Sequence, residues 1–295
     1  MTYSVDELFS AVPSLFKQFR DNASVLPEGF QAVVLDAGDG TVVKFLKRKP
    51  EGGAADDIKR QFSAEIYSLM QFHGRAGEYF VPQLVEEPTF LMEDQPLGHY
   101  FMGYVRMTKV DGSPLEQRAT GADSSQIVQL GEAIAVMHGL GDRFVQRQKS
   151  PSSRGQNFSV DFIRDDKLMG KVLECNDWLS HQDIAGYMHG DVNWNNVLFD
   201  KKGHLLSVID FAFSGDSQNR FLDFANVSSD KVHFAVSAYN RASAAPALDP
   251  RVVEITSLRN YSDYVSFVTR CSQAAVDPKR PQALFAEGIM RIDLD

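Results

Sequence analysis

Hydrophobic residues recur along this chain with two different periods, and the period changes partway. Gln31 to Ala37 and Thr41 to Leu46 are short β-rich runs, and Asp39-Gly40 between them is a strong hairpin signal. After the punctuation of Pro50-Glu51-Gly52-Gly53, Ile58, Phe62, Ile66, Leu69 and Met70 mark an amphipathic helix over Asp56 to Phe72. Phe101 to Met107 reads as another strand and Asp111 to Pro114 as a turn. Ser4 to Arg20 also has roughly helical spacing, divided by Pro13. Beyond this the helical period dominates. Ser125 to Leu140 carries Ile127, Leu130, Ile134, Val136 and Met137, a polar loop runs from Gly141 to about Asn157, and Phe158 to His181 is helical in pieces. Val197-Leu198-Phe199 and Leu205 to Phe211 flank Asp200-Lys201-Lys202-Gly203, which predicts a short hairpin. Asp249-Pro250 opens a long helix with Asp as N-cap and Pro at the first position. The expectation is an α+β chain: a smaller β-rich part, a turn near residue 110, and a larger helical part holding one small hairpin.

Composition narrows the classes. The 295 residues are 43% hydrophobic and 23% charged, enough for a substantial core and too ordinary for wholesale disorder. A formal net charge of −9 argues against nucleic acid as the main partner and is compatible with a cationic small molecule. Cys175 and Cys271 lie far apart with no CxxC pattern, so neither a disulfide framework nor a zinc site is expected, and a reducing cytoplasm fits. Met1 to Glu7 has neither the basic nor the apolar run of a secretory signal. No stretch approaches the ~18 apolar residues of a spanning helix, so no membrane association is expected.

Chemistry collects in two places. In an antiparallel hairpin turning at 200 to 203, the open end gathers the residues just before Val197 and just after Ile209. That brings Asn196 and Asp210 to one mouth, with Asp191 on the loop leading in. Two carboxylates and an amide carbonyl are hard oxygen ligands and suit Mg²⁺. In the strand Thr41 to Leu46, alternation puts Lys44 on the face of Val42 and Leu46. Glu65 sits within or beside the apolar stripe of the Asp56–Phe72 helix. An ammonium and a carboxylate on apolar faces each need a partner, and one Lys44–Glu65 pair would satisfy both. Such a pair presents lysine to nucleotide phosphates in protein kinases.

The motifs then resemble a known family. His189-Gly190-Asp191-Val192-Asn193-Trp194-Asn195-Asn196-Val197-Leu198 resembles the HGDxxxxNxL catalytic loop of the aminoglycoside phosphotransferase and choline kinase-like family. Val208-Ile209-Asp210-Phe211 resembles its metal-binding Ile-Asp-Phe/Trp, and Phe221-Leu222-Asp223-Phe224-Ala225 the Asp-Leu-Ala further along. Leu130-Gly131-Glu132 through Met137-His138 is similar to its Leu-Gly…Leu-His helix, and Met107 to Gly112 to its hinge. The likeness spans roughly residues 30 to 230, with the motifs in the family's order.

That resemblance implies a bilobal protein-kinase-like fold, with a small antiparallel-sheet N-terminal lobe over 1–107, a hinge over 108–112 and a mainly helical lobe over 113–295. It implies phosphoryl transfer from ATP or GTP, with Mg²⁺, to a hydroxyl of a small molecule, first of all an aminoglycoside-like antibiotic. Choline, homoserine or sugar kinases and a non-catalytic nucleotide-binding module are the alternatives. Mapped by resemblance, Asp191 takes up the acceptor proton, Asn196 and Asp210 hold the metal, Lys44 touches the α/β-phosphates and Glu65 positions it. Thr108, Lys109 and Val110 form the hinge beside the base. Two departures stand out. There is no GxGxxG phosphate loop, since Gly29 is the only glycine between residues 20 and 31, where Asn22 and Ser24 are candidates for phosphate contacts. Thr108 also replaces the family's frequent Glu, leaving ATP or GTP open.

Each residue also has a plainer reading. His189-Gly190-Asp191 alone could be a surface turn, and Lys44 an edge charge that deters strand pairing. His189 and Asp223 read as structural, one holding its loop and the other tying backbone amides together. Trp194 reads as a loop anchor. Asp161, Asp165, Asp166, Glu174, Asp177 and Asp183 lie where the family builds its acceptor pocket, but a solvated face accounts for most of them. Arg143, Arg147, Lys149 and Arg154 read as an exposed basic loop.

Overall fold

The computed structural model describes residues 4, 8, 23–26, 32–48, 55–73, 81–95, 97–115, 122–143, 157–228, 230–270 and 278–294. The helix expected over Ser4 to Arg20, the Pro50 to Gly53 punctuation, Asn22, Gly29, the loop residues Arg147, Lys149 and Arg154, and Cys271 lie outside them, apart from Ser4 and Leu8. The chain divides into two compact units. One holds Met1–Pro114, Asn196–Lys202 and Leu206–Ser214; the other holds Leu115–Asn195, Gly203–Leu205 and Gly215–Asp295.

The first unit is built on an antiparallel sheet of β1 (Ser24–Val25), β2 (Ala32–Asp36), β3 (Thr41–Lys47), β4 (Thr89–Phe90) and β5 (Phe101–Thr108), in the order β1-β2-β3-β5-β4. The β2–β3 hairpin turns where Asp39-Gly40 predicts, and Val34 faces Lys44 across the pair. Val33, Leu35, Val43, Phe45, Phe101 and Tyr104 are buried in one hydrophobic cluster. Alternation puts Lys44, between Val43 and Phe45, on the opposite face. Helix α1 (Ala55–Phe72) packs against the sheet through Phe62. Gly103 makes that approach possible, because a Cβ there would lie 2.4 Å from the Thr89 carbonyl oxygen and 2.8 Å from the Phe62 ring. The buried stripe of α1 is Phe62, Glu65, Ser68, Leu69 and Phe72, whereas Ile66 is half-buried and Met70 is 58% exposed. The helix is therefore turned from the face that Ile66 and Met70 suggest, and two polar side chains point inward.

Pro114 lies not in a plain turn but in β6 (Ser113–Pro114), which pairs with β8 (Val197–Phe199); β9 (Leu205–Val208) completes that three-stranded sheet. The expected second strand stops at Val208, so Ile209, Asp210 and Phe211 lie beyond the ladder, and Phe211–Phe213 form a single 3₁₀ turn.

The second unit is mainly helical, with α2 (Ser124–Gly141), α3 (Asp166–Ser180), α4 (Val232–Ala242), α5 (Pro250–Arg270) and α6 (Lys279–Met290). Asp123 caps α2 by a capping box with Gln126. The stretch expected to be helical in pieces from 158 to 181 is irregular until Asp165 caps the single helix α3. A ribbon of β7 (Gly186–Met188) paired antiparallel with β10 (Gly215–Ser217) runs into the His189-Gly190-Asp191 loop. Among the described residues no helix is long and apolar enough to cross a membrane.

Candidate active site

In the first unit, Lys44 is fixed between two carboxylates. Its Nζ donates to Glu65 Oε1 at 2.8 Å and to Asp210 Oδ1 at 2.7 Å. Glu65 is 2% exposed and Lys44 12%, while Asp210 is 38% exposed. Burial opposes the charge on Lys44, but the Glu65 and Asp210 carboxylates outweigh it and hold the ammonium above the ordinary lysine range. Burial dominates at Glu65 and raises it despite the neighbouring ammonium. Its second oxygen, Oε2, is buried with no hydrogen-bond partner. The pair foreseen from periodicity is thus present, and it has a third member in Asp210.

Asn196 is joined through the backbone to Ile209, the residue before Asp210. Ile209 N–H donates to the Asn196 carbonyl at 2.9 Å, closing the mouth of the β8–β9 hairpin. Asn196 and Asp210 offer an amide and a carboxylate, both hard oxygen donors. Among the described residues no group of three or more His, Cys, Asp or Glu could hold a metal by itself. A two-donor oxygen set fits a divalent cation that keeps waters and takes the rest of its shell from phosphates, as Mg²⁺ does. It does not fit a softer metal that needs nitrogen or sulfur.

The segment expected to form the hinge begins at Thr108, the last residue of β5. Thr108 N–H donates to the Gln83 carbonyl at 2.8 Å, its hydroxyl accepts from Gln83 N–H at 2.9 Å, and Lys109 N–H donates to the Gly40 carbonyl at 2.8 Å. Lys109 Nζ lies 2.9 Å from Asp36. Thr108 thus serves as a strand lock, a role that a bulkier Glu would not fill in the same way.

The second unit holds the His189-Gly190-Asp191 loop by hydrogen bonds to its backbone. Asp223, 1% exposed, accepts from His189 N–H at 2.7 Å and from Gly190 N–H at 2.8 Å. His138 Nε2 lies 3.1 Å from the same carboxylate, and its Nδ1 lies 3.2 Å from the Tyr239 hydroxyl. Gly190 has φ +84°, a left-handed conformation that costs glycine little and most other residues more. Upstream, Asp142 pairs with Arg220 and accepts from Tyr187 N–H at 2.8 Å, which braces β7. Asp191 is half-buried. Its Oδ1 accepts from Asn193 Nδ2 at 3.0 Å and its carbonyl from Asn193 N–H at 2.9 Å. His189 Nδ1 accepts from Asp191 N–H at 3.3 Å, so that nitrogen carries no proton in this arrangement and the ring acts as a loop fastener. Asn226 Nδ2 holds the Val192 carbonyl at 2.7 Å.

Sequence reasoning missed Asn193, whose amide aims the Asp191 carboxylate. Its position two residues along, in an Asx-prone loop, was the available signal. It also missed Ser68 and Ser214, for which a single hydroxyl within an apolar pattern gives no signal.

The model of the phosphotransferase enzyme family (APH) matches residues 23–247. No curated protein sequence matches the chain. Among solved structures, the chain is similar to the GDP complex of wild-type aminoglycoside 2'-phosphotransferase-IIIa, with a TM-score of 0.64 at 16% identity, covering 98% of this chain and 99% of that one. It is similar to amicoumacin kinase hAmiN in complex with AMP-PNP, Ca²⁺ and Ami, with a TM-score of 0.63 at 12% identity over 97% and 93%. A microcompartment-associated aminopropanol kinase superposes with a TM-score of 0.58 at 15% identity over 97% and 95%.

Proposed function

Because this chain belongs to the phosphotransferase enzyme family (APH) and is a small-molecule phosphotransferase with the protein-kinase-like α+β fold of such enzymes, we propose that it transfers the γ-phosphoryl group of ATP or GTP, with Mg²⁺, to a hydroxyl of an aminoglycoside-like antibiotic. The observation that carries the donor side is the Glu65–Lys44–Asp210 triad. A buried ammonium held by two carboxylates, one of them partly exposed, is poised to exchange a carboxylate contact for a phosphate. Residues 1–107 are then the nucleotide-binding lobe, 108–112 the hinge, with Thr108, Lys109 and Val110 against the base, and 113–295 the catalytic and acceptor-binding lobe.

Lys44 orients and neutralises the α- and β-phosphates, and Glu65 keeps its ammonium in place. Asn196 and Asp210 would hold Mg²⁺, which when bound would neutralise charge on the nucleotide phosphates. Asp191 accepts a hydrogen bond from the acceptor hydroxyl and receives its proton. A carboxylate is a weak base, which suffices where the transition state is loose and the proton leaves late. Asn193 fixes the rotamer that aims the carboxylate. Catalysis is then mostly positioning and charge stabilisation.

The aminoglycoside assignment draws on the solved aminoglycoside phosphotransferase it resembles and on the acidic balance of the chain. The likeness to an aminopropanol kinase supports a second reading, a small amino-alcohol metabolite as acceptor. Both acceptors carry a hydroxyl and an ammonium. Release of ADP and GDP, measured with Mg²⁺ against aminoglycosides, a macrolide, aminopropanol, choline, homoserine and simple sugars, separates them. Asp191→Ala is expected to lower acceptor-stimulated release by about 10²–10⁴-fold while nucleotide still binds. Retained turnover in that variant would remove Asp191 from the base position. Stimulation only by amino alcohols would replace the antibiotic assignment.

A further inference from the structure

Asp210 has φ 66° and ψ 71°, a left-handed conformation that disfavours a residue with a Cβ. Such a conformation persists only where its surroundings over-determine it. Here the restraint comes from the adjoining 3₁₀ turn. Phe211 is fully buried and its ring meets Phe72 of α1 at 5.5 Å between centroids. Ser214 closes the turn, with its N–H donating to the Phe211 carbonyl at 3.0 Å and its hydroxyl donating to the same oxygen at 2.6 Å.

A serine hydroxyl has one proton. With that proton on the Phe211 carbonyl, the 2.7 Å contact between Ser214 Oγ and Ser68 Oγ is donated by Ser68. Both side chains are buried, at 8% and 2% exposure. Ser68 lies three residues after Glu65, so the two share a face of α1. One helix face therefore reaches Asp210 twice: Glu65 through the Lys44 ammonium to the carboxylate, and Ser68 through Ser214 to the turn that sets the backbone.

We propose that Ser68 and Ser214 are positioning residues that hold Asp210 in its left-handed conformation, and so aim its carboxylate at the metal. This rests on the reading of Asp210 as a Mg²⁺ ligand. Neither serine touches nucleotide or acceptor in this scheme. Their loss releases the turn, and Asp210 relaxes toward conformations in which its carboxylate leaves the Asn196 side of the hairpin mouth. The two are also unequal. Ser68→Ala removes the donor to Ser214, whereas Ser214→Ala removes that contact together with the hydroxyl's contacts to the Phe211 carbonyl at 2.6 Å and the Ala64 carbonyl at 3.5 Å.

The test is a Mg²⁺ titration of binding of a fluorescent ADP analogue to the full chain. Ser68→Ala and Ser214→Ala are each expected to raise the half-saturating Mg²⁺ by about three- to tenfold, Ser214→Ala more than Ser68→Ala, without changing metal-free nucleotide affinity. The double variant is expected to match Ser214→Ala, since Ser68 acts through Ser214, and Ser214→Thr, which keeps the hydroxyl, to retain the wild-type midpoint. Ser262→Ala is the control. It removes a buried hydroxyl that donates to the Arg259 carbonyl at 2.6 Å in the other unit, and it should lower the melting temperature and leave the Mg²⁺ midpoint in place. Unmoved midpoints in both serine variants, or an equal shift in Ser262→Ala, would overturn the proposal. Asp210→Asn separates the two layers. If it shifts the midpoint and the serines do not, the positioning role alone falls; if it shifts nothing, the metal assignment falls and takes the proposal with it.

Discussion

The two units hold their functional segments by different physics. In the first, Lys44 is fixed by charge, between the Glu65 and Asp210 carboxylates at 2.8 and 2.7 Å. In the second, the loop bearing Asp191 is fixed by backbone amides, two of which donate to the buried Asp223 carboxylate. On the proposed function, the difference follows the group that each segment would present. A cation that is to meet phosphates can be stored on carboxylates and change partners when phosphate arrives. A carboxylate that is to receive a proton is better held by its backbone, because a cation set against it would stabilise its charged form and weaken it as a base. Asn193, a neutral amide, donates to the Asp191 side chain at 3.0 Å.

The largest expected effect comes from removing the amide anchor. Asp223→Ala leaves the His189 and Gly190 N–H groups and the His138 ring without their acceptor, in a place that is 1% exposed. Unsatisfied buried donors cost about 1–3 kcal/mol each, so a loss of about 3–5 kcal/mol in urea unfolding is expected. Asp223→Asn keeps one carbonyl acceptor and should lose about half of that. A change under about 1 kcal/mol in Asp223→Ala would mean that the loop is held elsewhere, and the contrast between the units would fail.

Glu65→Gln probes the other side and should behave in the opposite sense. Burial raises Glu65 against the pull of Lys44, so its charge is costly where it sits, and its Oε2 has no partner. A glutamine keeps an oxygen for Lys44 and removes that charge. Stability is therefore expected to change by less than about 1 kcal/mol. Nucleotide affinity should fall by about tenfold, since a neutral amide oxygen holds the Lys44 ammonium less firmly than a carboxylate does. Titrating ADP against both proteins by calorimetry checks the affinity, and thermal melts check the stability. A large loss of stability with unchanged affinity would make Glu65 a structural residue and Lys44 an ordinary buried ion-pair partner.

The contrast also explains what could be read from the sequence. The Lys44–Glu65 pair was legible because a charge on an apolar face violates the local pattern, and each violation asks for a partner. The β2–β3 hairpin was legible from Asp39-Gly40, and α5 from Asp249-Pro250. Two helices were overlooked although their pattern was present: Val232, Ala235, Val236 and Tyr239 in α4, and Pro281, Phe285 and Ile289 in α6, are buried at helical spacing. The β7–β10 ribbon was not legible. Its strands have three residues each and are set by pairing between segments 27 residues apart in register, Met188 with Gly215, which no local period records. The rotation of α1 was hidden for a related reason. Ile66 and Met70 look like core residues, but the buried face is chosen by Glu65 and Ser68, whose partners lie far away at Lys44 and Ser214.

The smallest expected effect tests whether charge fixation extends to the hairpin that carries Lys44. Asp39 Oδ1 accepts from Thr41 N–H at 3.0 Å and from the Thr41 hydroxyl at 2.6 Å, and Oδ2 accepts from Arg106 Nη2 at 2.6 Å. Burial would raise its carboxyl, but the Thr41 hydrogen bonds and the Arg106 guanidinium outweigh it and hold it below the usual range. The folded chain thus binds fewer protons at Asp39 than the unfolded chain does. Its contribution is fully present above the unfolded value near ~3.9 and is lost as pH falls through the folded value. Asp39→Asn should therefore melt below wild type at neutral pH, by the equivalent of about 1 kcal/mol, and the two curves should converge as pH is lowered past ~4 toward 3. A gap that stays constant over that range would mean that Asp39 contributes through hydrogen bonds that asparagine cannot copy and not through its charge.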